Sequence, residues 1–182
     1  MSGRGEAGTE TALRKIHAAR AQSAYDRAVA ACGHAGVDRS AAELVPKTPT
    51  GRAAQALGLT AKSLGALAAS APDPAADARC ARNAAATAAL AAQVAHSADS
   101  VGGDETGSET GLRALRAALA ASQAAAAAAG GTAAGRDTSL NSAAGDAEEL
   151  AVAAARAAGW YAVSCSTTRR TGPSASAPVS PP

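Results

Sequence analysis

At 182 residues and a formal net charge of +2, the chain has the length of one domain and no charge surplus of the kind that marks a polyanion-binding protein. Hydrophobic residues make up 47% of it but aromatics only 2%, Phe is absent and about a third of the residues are alanine, so most of the apolar surface is methyl groups. Three scattered cysteines, Cys32, Cys80 and Cys165, exclude a disulfide framework, and no window reaches the roughly 18 apolar residues of a membrane span.

Residues 1–9 are short and polar, with no apolar stretch of a secretory leader, and are expected to be disordered. A first helix is expected from Glu10 to about Ala35. Leu13, Ile16, His17, Ala24, Ala28 and Ala31 form one broad face, Tyr25, Val29 and Cys32 continue it, and Arg20 and Arg27 project elsewhere. Gly33 and Gly36 supply the stop. Residues 37–50 carry Pro46 and Pro49 and read as a connector, with at most one helical turn at Ser40 to Leu44.

Arg52 to Ala69 reads as two short helices broken at Gly58. Asp73 as N-cap, Pro74 at the first helical position and Asp77 in the first turn open a helix to about Ser97, with a stripe of Cys80, Ala84, Thr87, Leu90 or Ala91, Val94 and Ala98. A glycine and acid loop leads to the clearest element, Leu112 to Ala129, where Leu112, Leu115 and Leu119 fall on one stripe and Gly130-Gly131 ends the run. The last helix, from about Thr138 to Ala158, places Leu140, Ala144, Ala147, Leu150 or Ala151, and Ala154 inward, with Glu148-Glu149 as a solvated face. Gly159 follows as a C-terminal cap, and Trp160 and Tyr161 fold back or close one end of a bundle. Residues 163–182 read as a disordered Ser/Pro-rich tail.

The fold expected is therefore all-α: an alanine-rich bundle over residues 10–162 with four long helices and a short helical hairpin. A buried CH₂ contributes about 0.8 kcal/mol, so an alanine seam stabilises little per residue and relies on close backbone approach.

Chemistry is sparsely signalled. Arg52-Ala53-Ala54-Gln55-Ala56-Leu57-Gly58-Leu59-Thr60-Ala61-Lys62-Ser63-Leu64 resembles the helix-turn-helix of DNA-binding regulators. The resemblance implies a positive φ at Gly58, Leu59 plugging the core, Thr60 capping a second helix, and Arg52, Lys62 and Ser63 as DNA contacts. The second helix offers no Arg, Asn or Gln outward to read base edges, so nucleic acid is not the favoured partner. Cys32, His34, Cys80, His96 and Cys165 lack the spacing of a zinc site, and no metal or other cofactor is expected. His17 has no nucleophile and carboxylate to complete a catalytic set, and no phosphate-binding loop or His-Glu-x-x-His occurs. The resulting expectation is a cytoplasmic, non-catalytic bundle that binds a protein partner or itself without a membrane. Leu13, Ile16, Tyr25 and Val29 are the expected contacts, and a DNA-binding regulator is the alternative.

Overall fold

The computed structural model describes residues 3–38, 40, 45–102 and 105–161. Among these residues there are five helices and no strand: α1 (Gly3–His34), α2 (Pro49–Ala69), α3 (Pro74–Gly102), α4 (Glu105–Ala129) and α5 (Thr138–Ala157). Alanine is the strongest helix former, and among the described residues proline stands only at the helix junctions, as Pro46, Pro49, Pro72 and Pro74. Asp73 Oδ1 accepts from Ala75 N and Ala76 N at 3.0 and 3.2 Å, and Asp137 Oδ1 accepts from Leu140 N at 2.9 Å, so α3 and α5 start where side-chain acceptors meet the free N–H groups. At the other ends Gly36 (φ +67°) and Gly159 (φ +74°) take the left-handed conformation. Val37 N bonds Cys32 O and Trp160 N bonds Ala155 O across them, the Schellman pattern that satisfies the last carbonyls.

The chain reverses direction at every connection. Arg14 meets Asp77 and His34 meets Asp99, so α1 and α3 run parallel, and Arg27 meeting Glu148 sets α5 parallel to α1 as well. The helices between them, α2 and α4, run the opposite way. Helix α3 is the hub, packed on α1, α2 and α4, while α5 closes on α4 and more narrowly on α1. The core is a continuous set of alanines, including Ala21, Ala24, Ala28, Ala84, Ala88, Ala91, Ala95, Ala114 and Ala118, with Leu57, Val94 and Trp160 as the bulkier members.

Several local expectations are corrected. The segment read as two helices is the single helix α2: Gly58 is helical and solvent-exposed, and Leu59 is 58% exposed. Thr60 does not cap anything, since its hydroxyl is buried against that of Thr87, 2.9 Å away on α3. Continuity wins because Ala53, Ala54, Leu57, Thr60 and Leu67 already form one helical stripe against α1 and α3, and packing that stripe outweighs the roughly 1 kcal/mol cost of an interior glycine. On α4 the buried line is Gly111, Ala114, Ala118, Ala121, Ala125 and Ala128. Leu115 is half-buried at its edge and Leu119 is 47% exposed, because close helix approach selects the smallest residues for the contact line. On α5, Leu150 likewise points out at 68% exposure, and Ala151 rather than Leu150 is inside. Helix α1 runs from Gly3, ahead of the expected start, with Glu6 in its first turn where the dipole favours a carboxylate. Residues 41–44 of the expected connector turn and the tail from 162 onward lie outside the described residues.

Candidate functional site

The polar chemistry of the bundle collects along one side of α1. Arg14, His17, Arg20, Ser23 and Arg27 recur at three- and four-residue spacing, and each is bonded to another element. Arg20 and Arg27, expected to project away, are 8% and 1% exposed, and Glu148, expected on a solvated face, is buried with them. Sequence periodicity misassigned all three because it scores apolar residues alone. The signal that locates them is the shared seven-residue interval, Arg20 to Arg27 on α1 and Asn141 to Glu148 on α5, which lets parallel helices pair both partners at once.

The seam has two stations. At the first, His17 is fully buried, its Nε2 is 3.0 Å from Gly135 O and its Nδ1 is 2.7 Å from Arg20 Nη2. Arg20 also donates to Asn141 O at 3.0 Å and Asn141 Oδ1 at 3.2 Å, while Asn141 Nδ2 donates to the same Gly135 carbonyl at 2.8 Å. A guanidinium can only donate, so Nδ1 of His17 accepts and Nε2 carries the proton that goes to Gly135. Burial first, and then the Arg20 charge, hold this imidazole below its ordinary value of 6.5, against the raising influence of the Gly135 carbonyl and Asp77. Burial also lowers Arg20, which Glu148 partly offsets.

Gly135 is fixed by geometry. Its φ is +87°, and a Cβ there would lie 2.4 Å from Pro74 O and 2.8 Å from the Ala78 methyl. Only glycine lets the loop press its carbonyl onto His17.

At the second station Arg27 holds Glu148 through Nε (3.2 Å) and Nη2 (2.7 Å), and Ser23 Oγ donates to the same carboxylate at 3.0 Å. Arg20 Nε and Arg27 Nη1 are buried without an acceptor among the described residues. Below the seam, Arg14 donates from Nε to buried Asp77 at 2.7 Å and from its Nη atoms to the carbonyls of Leu67, Ser70 and Ala71, capping the negative end of α2.

A separate polar cluster closes the far end of the bundle. Asp99 Oδ2 accepts from Trp160 Nε1 at 3.2 Å, and Asp99 Oδ1 meets His34 Nε2. The Arg156 guanidinium lies 5.6 Å over the Tyr161 ring.

The expected partner contacts do not form one surface. Leu13 is half-buried, Ile16 is 47% exposed on the edge that carries Ser23 and Arg27, and Tyr25 and Val29 lie on the opposite edge, half-buried against the core. Of the expected DNA contacts, Arg52 and Lys62 are exposed about 15 Å apart along one straight helix, and Ser63 donates back to Leu59 O. Arg52 borders an open cleft of about 380 Å³ floored by Leu90 and Val94. The two-helix geometry of a helix-turn-helix is not formed there.

Cys32 and Cys80 are buried and not joined to each other in a disulfide, and burial together with Asp77 pushes Cys80 up, away from nucleophilic character. Among the described residues no group of three or more His, Cys, Asp or Glu is arranged to hold a metal ion, and no helix is long and apolar enough to cross a membrane. Compared with known proteins, the chain matches no protein family, no curated protein and no solved structure.

Proposed function

We propose that this bundle is a non-catalytic binding module that acts by associating with a second protein chain, most directly a copy of itself. The observation that carries the reading is the inverted placement of bulk: alanines fill the interior, while Leu59, Leu119, Leu150 and Ile16 stand substantially in solvent. Large apolar side chains left outside an alanine core are surface that a second chain removes from water, at about 25 cal/mol per Å². The buried polar groups support the same reading. His17, Arg20, Arg27, Asp77 and Glu148 are engaged in links between helices or from a helix to the loop 130–137, so they serve to hold the bundle together.

Sedimentation over about two decades of concentration tests this. The expected result is a mass that rises with concentration and falls back to the monomer when Leu119→Glu and Leu150→Glu are combined. A strict monomer whose behaviour is the same in the double variant removes self-association.

A further inference from the structure

We propose that His17 is an acid-sensitive latch: its protonation releases α5 and the loop 130–137 from α1, while α1, α2 and α3 stay packed. The inference does not depend on the self-association reading. It rests on the bonding at the imidazole, where both ring nitrogens are committed and only one protonation state fits. Nδ1 accepts from Arg20 and Nε2 donates to Gly135. A proton taken from solvent onto Nδ1 replaces that acceptor with an N–H aimed at the N–H of a guanidinium 2.7 Å away, so the contact turns from a hydrogen bond into a repulsion between two cations.

The surroundings give that charge little relief. On α1 the neighbouring charges are Arg20 and Arg14, on α3 Asp77, on α5 Glu148, and Arg136 and Asp137 follow Gly135 in the chain. Asp77 is held by Arg14, and Glu148 by buried Arg27 and by Ser23, so neither carboxylate turns to a protonated His17 without abandoning its guanidinium partner. At neutral pH the α1–α5 seam already holds two buried guanidiniums and one buried carboxylate, and protonation raises the excess.

The break is local because of how the links are distributed. Arg20 joins α1 to α5 through Asn141, and Asn141 and His17 share the Gly135 carbonyl, so the repulsion that drives His17 and Arg20 apart displaces the loop and the start of α5 together. The contact of α1 with α3 is the broadest in the molecule, and its core is a run of alanines that do not titrate, with the Arg14–Asp77 and His34–Asp99 pairs at its two ends. The link from α1 to the end of α2 is Arg14, which binds backbone carbonyls. Acid therefore opens one face and leaves the rest.

Backbone amide exchange on the full chain, corrected for the intrinsic pH dependence of exchange, reads the opening. In the wild type, amides of Thr138–Ala157 accelerate by about tenfold per pH unit below 6.5, while those of the middle of α1 and α3 do not. His17→Gln keeps a donor for Gly135 and an acceptor for Arg20 but takes up no proton, and its α5 amides stay slow over the same range. The ¹⁵N shifts of the His17 ring in the wild type supply a second reading that needs no variant: a neutral Nε2–H tautomer at pH 7, whose protonation tracks the exchange of α5. Equal acceleration in all helices, the same acceleration in His17→Gln, or ring protonation without faster exchange would each overturn the proposal.

Discussion

Arg27 and Glu148 form a two-point ion pair across the α1–α5 seam, with Nη2 to Oε2 at 2.7 Å and side chains only 1% and 7% exposed. Two opposite charges so placed gain their attraction at the cost of both hydration shells, so the pair as a whole contributes little while either member alone is a liability. Glu148→Ala is expected to cost about 3 to 5 kcal/mol in urea unfolding, because it strands a buried guanidinium. Arg27→Met combined with Glu148→Leu is expected to cost far less than that single change, and double-mutant analysis of the same unfolding curves checks the coupling.

Glycine substitutions separate positions that need glycine from positions that merely contain it. Gly135→Ala is expected to destabilise by more than about 1 kcal/mol, since the new methyl meets the Pro74 carbonyl in a conformation that L-residues avoid. Gly58→Ala and Gly65→Ala are expected to stabilise by about 0.5 to 1 kcal/mol each, because both sites are helical with open space at the Cβ position. Thermal unfolding of the three variants checks both signs. A loss of stability on Gly58→Ala would restore the turn that the helix-turn-helix resemblance implied.

The leucine helix tests which stripe packs. Leu119→Ala is expected to cost less than about 1 kcal/mol, and Ala118→Leu about 1 to 3 kcal/mol through overpacking against neighbouring backbones. Chemical unfolding of the two single variants is the check. The reverse order would put the leucines back in the core.

This helix also marks how far the sequence could be read. The all-α class, the start of α3 and both ends of α5 follow from propensity, capping residues and glycine placement, which act over a few neighbouring positions, whereas α3 runs past its expected end near Ser97 to Gly102. Helix rotation does not. In α4 both the leucine line and the alanine line have helical periodicity, and choosing between them requires knowing that α3 and α5 approach closely enough to exclude leucine. The seam was hidden for a related reason. Arg20, Arg27 and Glu148 are charged, and only the parallel pairing of two helices more than a hundred residues apart makes their burial tolerable.

The acid limb of stability has a contribution at the start of α5 that His17 does not share. Backbone N–H donation from Leu140 first, and the Ser139 hydroxyl second, hold Asp137 below its ordinary 3.8. A carboxyl depressed in the folded state contributes stability that is complete above its unfolded value and is lost as pH falls through the folded one. The Asp137 contribution is therefore constant from neutral pH down to about 4 and disappears below that. A lowered histidine has the opposite protonation bias: its neutral form is the one that fits, so its loss begins below 6.5, well above the carboxylate window. Asp137→Asn keeps a side-chain oxygen for Leu140 N without a titrating group, so it is expected to flatten the stability curve below about pH 4 while leaving the limb that begins below 6.5 unchanged. His17→Gln is expected to do the reverse. Urea midpoints of the wild type and both variants, taken at closely spaced pH values, check the assignment, and a change in the upper limb on Asp137→Asn would show that the two groups are coupled.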